Sequence, residues 1–305
     1  MSVIYDLEHI TTYSYRNPVT FGKHRAVFLP SATHRERILS YLVETNVPCK
    51  IRWIMDTLSN NVAELEFSEP AKELIVTCRL RAEHFGLKAI AEFPLDPRAL
   101  EIPVQYTPDE WSDLSVFMRP HAEDPDSSVA TWAKYFVAGD QDHTLDVLQR
   151  MMDTIKNTLS YQSRETEGTQ SPGETLRLKS GTCRDYAWLM IESLRRLGLA
   201  CRFVSGYLYD GALDGGEVGM IGSGATHAWL QVYLPGAGWR NYDPTNQITT
   251  GFDLIPVAIA RHPSQVMPLS GFWFGETQDY LGMNVKVLIR KLANLPEFES
   301  KSVAL

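Results

Sequence analysis

The sequence predicts an α+β protein in which an N-terminal β-sandwich precedes a mixed core. Three observations carry that reading. The first 85 residues alternate apolar and polar side chains in short runs. Six prolines from Pro94 to Pro125 then break the chain. Beyond them the apolar spacing changes to three and four residues, and strand patterns return only after a helical stretch. The expected divisions are a sandwich over 1–85, a Pro-rich connector over 86–125 and the α+β core over 126–305.

Strand alternation is visible in Ile4 to Tyr15, Ile38 to Val47, Glu64 to Phe67 and Glu73 to Leu80, with turn chemistry at Asn17-Pro18 and Asn60-Asn61. Several short strands without a helix read as a small sandwich. In the connector, Pro94, Pro97, Pro103, Pro108, Pro120 and Pro125 leave no room for a long periodic element. Leu145, Leu148, Met151 or Met152, and Ile155 then recur with helical spacing, ending near Leu159, and Asp142 is the expected N-cap. A second helix opens at Thr182, with Asp185 three residues on as an Asp-for-Glu capping box. Ala187, Met190, Ile191, Leu194 and Leu197 form its apolar stripe, and Gly198 fits the position just past its end. Strands are expected over Ala200 to Tyr209, Thr226 to Leu234, Trp239 to Asp243 and Met283 to Ile289. A glycine-rich loop separates the first two of these, and a polar tail begins at Glu297.

The chain has 305 residues, 44% hydrophobic and 22% charged, an ordinary globular composition able to bury a substantial core. Lys and Arg number 29 against 37 Asp and Glu, a net charge of −8. With no basic run, that balance argues against nucleic acid as a partner. No apolar stretch has the length of a membrane span, and the first residues lack a signal-peptide pattern, so cytoplasmic residence is expected. Cys49, Cys78, Cys183 and Cys201 show neither a CxxC pair nor disulfide-framework spacing, which fits reduced thiols.

Three segments carry candidate chemistry. Cys183 stands at a helix start, where partial positive charge and free N–H groups favour a thiolate. His227 lies in the strand from Thr226, on the face opposite Ala228, Leu230 and Val232. Asp243 ends the next strand. A five-residue turn, Leu234 to Gly238, pairs Tyr233 with Trp239. Asp243 then falls opposite Trp229, diagonal to His227 on one face, about 7–8 Å apart at Cβ. A four-residue turn would send Asp243 to the wrong face. Each residue also has a structural reading: a small buried thiol, a satisfied histidine, and an Asp-Pro turn initiator. Cys78 and Cys201 are read that way, and Cys49 has no assigned role. A zinc site is set aside because each ligand type comes from a separate segment. No metal or cofactor is called for.

Gly-Thr-Cys183-Arg-Asp-Tyr-Ala, Val204-Ser205-Gly206-Tyr207-Leu208, Thr-His227-Ala-Trp and Tyr-Asp243-Pro-Thr, in that order, resemble the core of the transglutaminase-like superfamily. Glu8-His9-Ile10-Thr11-Thr12-Tyr13-Ser14-Tyr15 with Pro18-Val19 resembles the β domain that precedes that core in a bacterial subgroup. The resemblance implies a papain-like α+β core with Cys183 as nucleophile, His227 as general base and acid, and Asp243 as orienting carboxylate. Family members include transglutaminases, proteases and amide hydrolases. The expected function is thiol-dependent acyl transfer on a peptide or protein amide, hydrolytic in the manner of a cysteine peptidase or amidase. The alternatives are protein-glutamine cross-linking or a non-catalytic binding module. The Cys183 N–H would bind the oxyanion, with Tyr161 or Gln162 supplying a second donor. No substrate-binding residue can be named.

Overall fold

The computed structural model describes residues 2–86, 92–137, 142–162, 168–211, 220 and 224–292. The chain opens with β1 (Val3–Phe21), β2 (His24–Ala26), β3 (Glu36–Thr45), β4 (Cys49–Met55), β5 (Asn61–Phe67) and β6 (Ala71–His84). Asn17-Pro18 is not a turn. β1 runs through it, and the ladder to β6 breaks register between Ser14 and Val19. A strand can absorb a proline at such an irregularity because no ladder hydrogen bond is required there.

The connector contains structure that the proline density concealed. After the two-residue strand β7 (Glu101–Ile102) comes α1 (Pro108–Met118). Pro108 sits at the helix start, where its missing N–H costs nothing. Thr107 Oγ1 accepts from the Glu110 N–H, and the Glu110 carboxylate accepts from the Thr107 N–H. That proline starts a helix where the sequence reading counted it as a break.

Next come α2 (Ser128–Lys134), β8 (Asp142–His143) and α3 (Thr144–Thr158). Asp142 does not cap α3; His143 holds the N-cap position, and Asp142 pairs with Arg150 at 3.0 Å. Then β9 (Ser160–Tyr161), α4 (Pro172–Leu178), β10 (Ser180–Gly181) and α5 (Cys183–Arg196) bring the chain to the core strands β11 (Cys201–Leu208), β12 (Thr226–Leu234), β13 (Gly238–Tyr242) and β14 (Leu254–Ala260). These four form one antiparallel sheet in the order β13-β12-β11-β14. Most of the glycine-rich stretch 211–224 and the tail from Glu297 lie outside the described residues.

The chain then returns to its beginning. β15 (Leu269–Ser270) pairs with β2, β16 (Trp273–Phe274) with β1, and β17 (Tyr280–Leu292) with nearly the whole of β1, from Ile4↔Leu292 to Tyr15↔Tyr280. The sandwich therefore draws strands from both ends of the sequence. Residues 269–292, read as part of the core over 126–305, complete its sheets, because an alternating run can pair with any edge of matching polarity.

Two apolar clusters organise the interior. Tyr13, Tyr15, Phe21, Phe28, Leu65 and Leu74 fill the distant half of the sandwich. Tyr5, Leu7 and Val27 at its other half join α3, α5 and the core sheet in a single cluster. Helix α5 is central to it, with twelve of its fourteen residues buried, so it is not the one-sided helix its apolar stripe suggested. Its charged side chains Glu192 and Arg195 are buried with partners. Arg195 donates to Glu192, Phe117 O, Cys201 O and Arg261 O. Glu192 also accepts the N–H groups of His121 and Ala122. These bonds tie α5 to the end of α1 and to the core sheet. No helix among the described residues is long and apolar enough to cross a membrane.

His9 of β1 bridges the two parts. Its Nδ1 lies 2.9 Å from the Tyr207 hydroxyl of β11, and its Nε2 lies 3.1 Å from Thr11 Oγ1. Burial pulls its imidazole down to about 4. Between that value and the unfolded value of about 6.5, the unfolded chain binds the extra proton. The stability His9 contributes is therefore present above pH ~6.5 and lost as pH falls towards 4, on the order of 3 kcal/mol. Urea unfolding from pH 7 to 4 should show a steeper loss in the wild type than in His9→Gln. Parallel curves would remove His9 as the source.

Candidate active site

The site is assembled where the start of α5 meets β9 and the β12–β13 hairpin. α5 begins at Cys183 because Thr182 is fixed immediately before it. The Asp185 carboxylate accepts from both the Thr182 N–H at 2.8 Å and the Thr182 hydroxyl at 2.9 Å. Its other oxygen accepts from the Gln170 N–H at 2.6 Å. Asp185 is fully buried, so these bonds replace its lost hydration. Gly181 is required next to it. A Cβ there would meet the Asp185 Cβ at 2.8 Å.

β9 and β10 pair in parallel, with Gly181 opposite Tyr161, and the Gln162 N–H donates to Gly181 O at 3.0 Å. This small ladder sets Tyr161 beside Cys183. Burial first, then the charge of Cys183, raises the Tyr161 phenol well above its usual value, so it keeps its proton. Its ring also meets Tyr186 of α5 edge-on at 6.2 Å.

The hairpin has the register read from the sequence: Tyr233 pairs with Trp239 and Leu230 with Tyr242. Pro235, Gly236 and Ala237 form the tip. Gly236 has φ +83° and lies so close to the backbone at Pro94–Asp96 that a Cβ would clash there. Continued by one pair, the register sets Asp243 across from Trp229, diagonal to His227. The two side chains meet, with His227 Nε2 2.8 Å from Asp243 Oδ2. Neither is accessible to solvent, and Cys183 is only 6% exposed.

Asp243 is held on every side. Its Oδ1 accepts from the Thr245 N–H at 2.9 Å, and its backbone bridges to Ile248. The Asn246 amide donates to Oδ2 at 3.3 Å. Lys156 of α3 in turn donates to Thr245 O at 2.7 Å. One carboxylate oxygen of Asp243 thus serves its turn and the other faces the imidazole.

His227 Nδ1 has no aligned hydrogen-bond partner. Burial alone would pull the imidazole down. The charge of Asp243, that of Cys183 and the Asp243 hydrogen bond outweigh it and hold His227 well above its ordinary value, at about 10. After Asp243, Cys183 is the neighbour that raises the ring most. By contrast, burial pushes the thiol of Cys78 up to about 12 and that of Cys201 higher still, as suits inert core residues.

A supporting layer escaped the sequence reading. Asn241 Oδ1 accepts from Trp229 Nε1 at 2.7 Å and from Gln231 Nε2 at 3.0 Å. The indole so fixed stacks on His227, 6.0 Å between ring centres. It also covers Gly206, where a Cβ would meet the ring at 2.6 Å. The parity that joined His227 to Asp243 places Trp229, Gln231 and Asn241 on the same face, so the signal was present.

Residues 5–83 match the bacterial transglutaminase-like N-terminal region, and residues 130–244 match the transglutaminase-like superfamily. An uncharacterized protein of Mycobacterium leprae is 28% identical over 92% of this chain and 96% of its own. A protein-glutamine gamma-glutamyltransferase of Pseudomonas aeruginosa is 34% identical over 70 residues, 23% of this chain and 10% of that enzyme. The crystal structure of a candidate cysteine protease from Cytophaga hutchinsonii superposes with a TM-score of 0.72 at 18% identity, covering 96% of this chain and 92% of that one. The chain carries a transglutaminase-like core behind a bacterial transglutaminase-like N-terminal region.

Proposed function

We propose that the protein catalyses thiol-dependent acyl transfer on a peptide or amide substrate, with water as the usual acceptor. The observation that carries this reading is a buried imidazole bonded to a buried carboxylate and raised by the charge of a helix-start thiol. Cys183 attacks the carbonyl carbon as the thiolate. The imidazolium of His227 then protonates the leaving amine, and the neutral ring takes a proton from the water that resolves the acyl-enzyme. Asp243 holds the ring in the tautomer that presents Nδ1 to the thiol. The Cys183 N–H, at the first helical position, has no intrahelical partner and serves the oxyanion. Tyr161, protonated and beside the thiol, is the second donor. A reducing compartment suits such a thiol.

Hydrolysis is the first reading because water needs no dedicated binding site, whereas cross-linking needs a bound amine. The local similarity to a protein-glutamine gamma-glutamyltransferase supports cross-linking as the second. Mass spectrometry of a peptide and amide library, incubated with and without dansylcadaverine, separates the two. Hydrolysis yields free acids with no amine adduct. Amine adducts in excess of acids would overturn the order. Cys183→Ala should abolish both products and the fast phase of iodoacetamide labelling, leaving slower labelling of the half-buried Cys49, while the circular dichroism is unchanged. Retained turnover would remove Cys183 as the nucleophile.

The pH dependence follows from the His227–Asp243 pair. Because His227 is raised, its imidazolium persists from below 6.5 up towards about 10. The alkaline limb of kcat/KM should therefore lie well above 6.5 and move down in Asp243→Asn, with a loss of about 10⁴-fold at neutral pH. An alkaline limb in the same place in both proteins would contradict the assignment. Tyr161→Phe should lower kcat by about 10²–10³-fold with little change in KM, and Gln162→Ala should not. The reverse pattern would move the second oxyanion donor to Gln162.

A further inference from the structure

A second cavity lies between the sandwich loops and the core sheet, apart from Cys183, His227 and Asp243. Its volume is about 790 Å³, within the range of roughly 300–1,000 Å³ typical of small-molecule sites. Among the described residues its walls combine Phe93 and Trp239 with three arginines, Arg35, Arg202 and Arg240.

Among the described residues, none of the three arginines forms an ion pair with a carboxylate. Arg240 is 7% exposed, and its Nε has no hydrogen-bond partner. Its guanidinium lies over the Phe93 ring, 3.6 Å from the centre. Arg202 stacks on Trp239 at 4.1 Å and donates one bond, to Gln231 Oε1 at 2.8 Å. Burial, then the positive charge of Arg35, lowers both guanidiniums from their usual value. Glu92 acts on Arg240 at longer range as the weakest influence. Glu36, the carboxylate in the wall, accepts from the Thr33 hydroxyl, and its other oxygen lies 3.4 Å from His84 Nδ1 without a hydrogen bond.

A buried guanidinium without a partner is costly unless something supplies the missing acceptor. Planar fork-shaped donors stacked on aromatic rings suit a carboxylate or a phosphate, and the rings suit an apolar body attached to it. We propose that this cavity is a binding site for an organic anion, a carboxylate or phosphate ester with an apolar group, held by Arg240, Arg202 and Arg35. The site reaches the catalytic face through bonds already described. Arg202 holds Gln231, Gln231 and Trp229 share Asn241, and Trp229 stacks on His227.

Isothermal titration of the full chain with phenyl phosphate, benzoate, inorganic phosphate and benzyl alcohol tests this. Phenyl phosphate or benzoate should bind saturably, one per chain, and at least tenfold more weakly to Arg240→Met. Preference between the two assigns the anion's chemistry. Benzyl alcohol should give no heat of binding, and inorganic phosphate should bind less tightly than its phenyl ester. Arg35→Ala, on a partly exposed loop, serves as a second variant should Arg240→Met fold poorly, and it too should weaken binding. No saturable binding of either organic anion, or equal affinity in wild type and both variants, would overturn the proposal.

Discussion

The bond between His227 and Asp243 is the constraint around which the core is arranged. A titratable imidazole and a carboxylate face one another in a dry interior. Such a pair is tolerated only if each member keeps its partner, since removing one leaves an unpaired buried charge at a cost of about 3–5 kcal/mol. The surroundings enforce the pairing. The hairpin register fixes both residues on one sheet face, and the Thr245 and Asn246 contacts stop the carboxylate from turning away. Trp229 presses on the imidazole from the neighbouring pair. Lys156 anchors the Asp243 turn to α3, so a helix from outside the sheet braces the site.

The thiol is positioned by a different device. Nothing in the sheet holds Cys183; the start of α5 does. Asp185 gathers Thr182 and Gln170 onto one carboxylate, and Gly181 leaves room for it. The rest of α5 is buried and locked by Arg195 and Glu192, so its first turn cannot drift relative to β12. Catalytic geometry of this kind depends on rigid supports more than on the reacting groups themselves, because small misplacements weaken transition-state contacts steeply.

Much of this was legible in the sequence because it rests on local rules. Thr182 with Asp185 marks a helix start, Gly198 marks its end, and the parity of a five-residue turn joins Asp243 to His227. What was hidden depends on tertiary context. Pro108 opens a helix only because Thr107 and Glu110 cap it, which a count of prolines cannot reveal. β17 shows ordinary strand alternation, and nothing local says that its partner is β1, nearly three hundred residues away in sequence. The apolar stripe of α5 was visible, but its burial on the remaining sides requires the ion pairs of Arg195 and Glu192. Asp142 looked like a cap and instead answers Arg150. The role of the sandwich lies at this level too. It shares one apolar cluster with the core and supplies one wall of the arginine-lined cavity, so it is continuous with the transglutaminase-like core.

The central claim is that His227 carries its second proton at neutral pH because Asp243 holds it. Nitrogen-15 NMR of the chain labelled in its histidine rings reads that proton directly. The His227 ring should remain doubly protonated at pH 8, with a strongly downfield proton on Nε2 shared towards Asp243. A His227 ring that is neutral at pH 8 and titrates near 6.5 would contradict it.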